Sequence, residues 1–163
     1  KITIKNLLKV LILYRNFKIV FTYPNQDTFG KVIIREVKKF IEKRKNCFFI
    51  KNLGTQDYFS LIKVSRCVIG NSSSGIIEVP SFKKPTVNIG ARQRGRITAP
   101  SVFSCDISKF SINKSIKKEL NFKIKKSFNP FEIKNKNASS EIIKFLKKYN
   151  FKKLKLEKYF YDL

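Results

Sequence analysis

The sequence predicts an α/β protein built on a doubly wound parallel sheet. Three observations carry that expectation. Short β-rich runs alternate with single stretches of helical period along the chain. Each run is continuously apolar, as strands covered on both faces are. The chemically distinctive residues gather in the loops that follow the runs, where ligands of such sheets bind.

Residues 4–15 read as an amphipathic helix, and 18–23 (KIVFTY) as a buried strand that ends at Pro24. A helix is expected over about 29–44, with Val32, Ile33, Val37, Phe40 and Ile41 on one face. Residues 47–51 (CFFIK) form the next strand, followed by a loop and a helix over about 56–65. The run 67–70 (CVIG) is a short strand opening into the loop 71–75, and an apolar helix starts near Ser74. Pro80 and Pro85 mark a further loop, 86–89 (TVNI) is a strand, and 107–120 and 139–149 read as helices. Residues 1–150 are expected to form one domain, and 151–163 a basic, aromatic tail without an assigned structure.

Composition excludes several chemistries. The 163 residues contain no His, so Ser-His-Asp and Cys-His catalysis, histidine bases and His-ligated zinc are ruled out. Cys47, Cys67 and Cys105 are far apart, lie in apolar runs and show no metal spacing. They read as free thiols in a reducing compartment, with a cytoplasmic location and no metal or other cofactor. The apolar stripe near the start is broken by Lys5, Lys9, Arg15 and Lys18, which argues against a membrane span or signal peptide. The starting Met is missing, so the chain is expected to be processed or a piece of a longer protein.

The formal net charge of +25 first suggests a nucleic-acid partner. Its distribution argues otherwise. Lys is spread along the whole chain together with Ile, Asn and Phe, residues with A/T-rich codons, so most of the charge reads as compositional drift on solvated faces.

The informative stretch is 69–102. In GNSSSGIIE (70–78) a strand stops at glycine, three hydroxyls and a second glycine follow, and an apolar run begins. Backbone N–H groups and the hydroxyls of Ser72, Ser73 and Ser74 can converge there on an anion, and Gly75 leaves room for it to approach. A plain serine cap with a turn is the alternative. Glu78, one turn after Ser74, can accept two hydrogen bonds from a ribose diol, or else complete a capping box. GARQRGR (90–96) ends the next strand. Three arginines in a chain that otherwise favours lysine form a candidate anion clamp, since guanidinium forks match phosphate oxygens.

With FTYPNQD (21–27) upstream, GNSSSGIIE and PTVNIG-x-RQ-x-GR closely resemble the carboxy-terminal half of hydrolysing UDP-N-acetylglucosamine 2-epimerases. These are the enzymes that yield free N-acetylmannosamine for sialic-acid-type sugars. The resemblance runs from about Ile4 to Lys148. It implies the C-terminal, Rossmann-like half of a two-domain GT-B-like fold, with UDP in the interdomain cleft and a homodimer when complete. By motif position Ser72 and Ser73 would hold the diphosphate, with Ser74 and Gly75 also in the UDP-binding loop, Glu78 would hold the ribose, and Arg92 would sit near the phosphates or the sugar. Asn25, Asp27, Gln93 and Arg96 would lie on the sugar side, and 52–58 near the uracil.

The chain departs from the family pattern in three ways. Ala91 stands where the family has Asp, and a glycine-rich turn is missing around 131–133. The family's threonine-aromatic-histidine-proline strand end would lie just upstream, and its acid/base carboxylates on an amino-terminal domain. The resemblance therefore implies that the full-length enzyme turns over UDP-GlcNAc, while these 163 residues alone bind UDP weakly or not at all and are inactive. A related epimerase of a UDP-diacetamido sugar, of the legionaminic-acid type, and a non-catalytic nucleotide-sugar-binding remnant are the alternatives.

Overall fold

The computed structural model describes residues 2–24, 29–122, 129–131 and 137–151. The chain divides into two compact units, Lys1–Pro130 and Phe131–Leu163. Among the described residues the first unit holds five strands in two parallel sheets. β1 (Ile19–Thr22) pairs with β2 (Cys47–Ile50), and β4 (Thr86–Ile89) lies between β3 (Val68–Gly70) and β5 (Val102–Cys105). Helices α2 (Gly30–Ile41), α3 (Gly54–Val64) and α4 (Ser74–Ile77) connect successive strands from β1 to β4, α1 (Ile2–Leu11) precedes β1, and α5 (Lys109–Leu120) follows β5.

Strand alternation sorts the layers. Val87 and Ile89 of β4 join Val10 and Leu11 of α1 and Ile112 and Ile116 of α5 in one buried cluster. Ile19 and Phe21 of β1, Phe40 of α2, and Cys67 and Ile69 at β3 pack around it. Thr86 and Asn88 point to the opposite face, where α4 packs on β3 and β4. Helices on both faces of parallel strands make the doubly wound arrangement.

Two differences from the expected elements have clear causes. The apolar run after Ser74 is a single helical turn, because Pro80 cannot continue the α-ladder and the chain tightens into a 3₁₀ turn over Val79–Phe82. β5 was not expected. It precedes α5, which starts at Lys109 rather than 107 and is capped by the Ser108 hydroxyl, an acceptor from the Ser111 N–H at 3.2 Å.

In the second unit, α6 (Ala138–Lys148) is capped by Asn137 and leaves Ile142, Ile143, Phe145 and Leu146 exposed. Residues 152–163 of the expected tail lie outside the described residues, as do 132–136 of the expected turn region. Among the described residues no helix is long and apolar enough to cross a membrane, and no cluster of three metal-ligating side chains occurs.

The three cysteines are free. Burial, and after it the nearby Glu119 carboxylate, push the Cys67 thiol up to about 12, while a backbone hydrogen bond from Val87 opposes the shift. Glu119 itself is unusual. It is 1% exposed, and both carboxylate oxygens are buried without a hydrogen-bond partner among the described residues. Burial raises its carboxyl above the usual carboxylate range, and Lys118 offsets only part of that.

A raised carboxyl binds its proton more tightly in the folded chain than in the unfolded one. Stability therefore falls as pH rises from the unfolded carboxyl value through the raised folded one. Glu119→Gln should melt at a higher temperature than the parent at pH 8, with the difference shrinking as pH falls toward 4. Thermal melts across that range check it, and a pH-independent difference would refute it.

Candidate functional site

The loops after β3 and β4 meet at the carboxyl edge of the sheet. The first, 71–74, leaves β3 at Gly70 and turns into α4. The Gly75 N–H bonds the Ser72 carbonyl at 3.2 Å, and the Ile76 and Ile77 N–H groups bond the Ser73 carbonyl at 2.9 Å each. The Ser72 hydroxyl accepts from the Ser74 N–H at 3.4 Å, which tightens the turn. The Ser72 and Ser73 N–H groups and the Ser73 hydroxyl have no partner among the described residues. They are the donors the loop has to offer an anion.

Ser74 and Gly75 are otherwise engaged. The Ser74 hydroxyl lies 2.6 Å from the Tyr58 hydroxyl, so α3 braces the start of α4. Tyr58 belongs to α3 rather than to a loop over 52–58, which is helical from Gly54 onward. Gly75 is buried, and a Cβ there would sit 2.8 Å from the Thr86 methyl. The close approach it allows is that of β4, not of a ligand, and the Thr86 hydroxyl donates to the Gly75 carbonyl at 2.9 Å. Glu78 closes α4, with its N–H on the Ser74 carbonyl, and its side chain makes no capping bond. The capping-box reading is therefore not realised, and the half-buried carboxylate stays available.

The second loop leaves β4 at Gly90, whose φ of 80° suits glycine alone. The chain turns again at Gly95, also at φ 80°. Between them Gln93 is 4% exposed and donates its side-chain amide to the Asn71 carbonyl at 2.8 Å. That bond ties the arginine loop to the serine loop. Its other amide atom, Oε1, is buried without a partner. Arg92, Arg94 and Arg96 are exposed around it. Arg94 lines a separate cavity of about 400 Å³ with Asn88, Ser104, Asp106 and Ser111, to which no serine-loop residue contributes. Asn25 and Asp27 lie outside the described residues. The residues that sequence reasoning missed are Tyr58 as the partner of Ser74 and Asn71 as the acceptor for Gln93. Neither carries a local signal, because both bonds cross between elements.

The same loops are the matched motif of a known family. Residues 2–147 match the family model described as UDP-N-acetylglucosamine 2-epimerase. The chain belongs to the UDP-N-acetylglucosamine 2-epimerase family. It is 41% identical over 106 residues to a hydrolysing GDP/UDP-N,N'-diacetylbacillosamine 2-epimerase of Campylobacter jejuni, covering 64% of this chain and 28% of that protein. It is 36% identical over 165 residues to polysialic acid biosynthesis protein P7 of Escherichia coli, covering 98% of this chain and 41% of that one. Among solved structures, the Neisseria meningitidis UDP-GlcNAc 2-epimerase bound to UDP-GlcNAc superposes with a TM-score of 0.62 at 19% identity. That likeness covers 91% of this chain and 41% of the other. It establishes the Rossmann-like half of a GT-B-like fold. The chain thus spans well under half the length of these family members.

The Gly75–Thr86 contact makes a direct test of how α4 is seated. Gly75→Ala should destabilise the fold by about 1–3 kcal/mol through overpacking. Adding Thr86→Ser, which removes the obstructing methyl and keeps the hydroxyl, should recover part of that loss. Denaturant melts of the single and double variants check this, and purely additive losses would count against it.

Proposed function

We propose that this chain is the UDP-binding part of a hydrolysing UDP-N-acetylglucosamine 2-epimerase. The complete enzyme would convert UDP-GlcNAc and water to N-acetylmannosamine and UDP for sialic-acid-type sugars. The observation that carries the reading is the Gln93–Asn71 bond, which fixes the arginine loop against a serine loop with unpaired N–H donors. Ser72 and Ser73 would hold the diphosphate, Arg92 would face the phosphates or sugar, and Glu78 would take the ribose hydroxyls.

In the proposed reaction a base takes the proton from C2, the C1–O bond breaks toward UDP, and a 2-acetamidoglucal remains. Water then adds across the double bond, with inversion at C2. The leaving group gains negative charge as its bond breaks, and preorganised N–H donors and a guanidinium stabilise that charge most at the transition state. This chain's residues do that electrostatic work. The proton transfers need a tuned acid and base, which we assign to the remaining domain. The assembly we propose is a cytoplasmic homodimer of the complete polypeptide, without a cofactor.

A second reading changes only the sugar. The 41% identical relative is named for diacetylbacillosamine, which favours a UDP-diacetamido sugar. Assaying both UDP-sugars with a polypeptide extended to the relatives' length separates the two by the product released. The 163-residue chain by itself should give no turnover, and N-acetylmannosamine formed by it would overturn the division of labour. In the extended polypeptide, Ser72→Ala with Ser73→Ala removes the Ser73 hydroxyl donor and leaves the backbone N–H groups, so UDP binding should weaken about 10-fold, taking about 1.5 kcal/mol for the one hydrogen bond to a charged group that is lost. Unchanged affinity by calorimetry would remove the serine hydroxyls from the phosphate site.

A further inference from the structure

The amino-terminal edge of the β3–β4–β5 sheet, opposite the serine loop, carries a cavity of about 350 Å³. Its walls include Arg66 before β3, Lys83, Lys84 and Pro85 before β4, and Leu120 and Phe122 at and just after the end of α5. That volume lies in the range of small-molecule sites. Among the described residues no carboxylate lines it, and none of its three cations has an ion pair. Glu119 is 1% exposed, is buried near Cys67 and does not line the cavity.

Two of these cations are not explained by drift toward lysine. The Arg66 guanidinium donates to the Leu120 carbonyl at 3.3 Å, which fixes its direction. Its other N–H groups have no partner among the described residues and are left to face an acceptor. Lys83 has a φ of 55°, and among the described residues it alone of the non-glycines has a positive φ. Glycine would hold that backbone without steric cost, so a lysine there is not the free choice of a solvated position. A side chain kept on a strained backbone points to work for that side chain. The third cation, Lys84, is half-buried. The opposite wall is apolar. Phe122 packs edge-on against Phe103 with ring centroids 5.0 Å apart, and it remains 38% exposed.

We infer that this cavity is a binding site for a small organic phosphate, distinct from the serine and arginine loops at the other end of the same strands. Three cations held together repel one another, and a phosphate dianion relieves that repulsion while accepting from the Arg66 fork and both ammonium groups. Pro85, Leu120 and Phe122 would cover the apolar body of the ligand.

The test titrates phenyl phosphate and inorganic phosphate into the 163-residue chain and follows its amide signals by NMR. Phenyl phosphate should shift the amides of Arg66, Lys84 and Phe122 saturably and bind at least about 10-fold more tightly than inorganic phosphate. Arg66→Gln with Lys84→Gln should weaken its binding at least about 10-fold through loss of charge-assisted bonds. Lys38→Gln with Lys39→Gln removes as much charge from an exposed part of α2 and should leave the affinity unchanged. Lys83→Gly separates binding from folding. It should bind phenyl phosphate more weakly yet melt no lower than the parent, because glycine relieves the positive φ. Equal weakening by the α2 pair would reduce the cavity to a share of the diffuse field and overturn the inference. Shifts centred on Ser72 and Ser73, equal affinity for the two phosphates, or unchanged binding in Lys83→Gly would each overturn it too. No readout uses UDP or turnover, so this site and the proposed function fail separately.

Discussion

The burial of β4 is the constraint on which the rest of the first unit depends. Its four residues are all buried, so each side chain must find a partner on one of two crowded faces. Val87 and Ile89 fill the cluster beneath α1 and α5. Thr86 and Asn88 occupy the other face, and being polar they must also be bonded. Thr86 reaches the Gly75 carbonyl and Asn88 the Ser104 hydroxyl at 3.0 Å. The first bond seats α4, the second holds β5, and the strand's end delivers Gly90 to the arginine loop. The site is thus a consequence of packing one strand.

The strands β1 to β4 were legible in the sequence because burial on both faces leaves a continuous apolar run. β5 was not, and the reason is physical. Its run VFSC carries an exposed Ser104, lies two residues after Pro100 and forms the far edge of its sheet. Edge strands are short and less apolar, so the composition signal fades. The start of α4 near Ser74 was legible too, and Pro80, which cannot continue the α-ladder, ends it although Ile76, Ile77 and Val79 keep the run apolar.

At the site, residue types were more legible than residue roles. The resemblance places Gln93 on the sugar side, yet Gln93 is buried and its amide satisfies a carbonyl twenty-two positions earlier. Gly75 reads as room for a ligand and instead makes room for a threonine. Glu119 shows a signal that was present but outvoted. It continues the spacing of Ile112 and Ile116, which marks the buried stripe of α5, while its neighbours Lys117 and Lys118 suggest a solvated face. Where period and composition disagree in so basic a chain, the period is the better guide, because drift toward lysine acts mainly on positions that packing leaves free.

The same reasoning separates useful charge from the +25 total. Exposed lysines scattered over a surface are screened beyond about 8–10 Å at ordinary ionic strength. They contribute little to any one point at the edge of the sheet. In the proposed reaction a departing diphosphate would respond instead to donors fixed within hydrogen-bonding distance, whose orientation is set before the charge develops. In this chain that fixation comes from uncharged groups: the Gln93 amide, the Tyr58 hydroxyl and the buried Thr86. The electrostatic role we propose for this edge would therefore rest on preorganisation by neutral hydrogen bonds. Substitutions that preserve every positive charge but disturb those bonds should harm binding more than loss of a distant lysine.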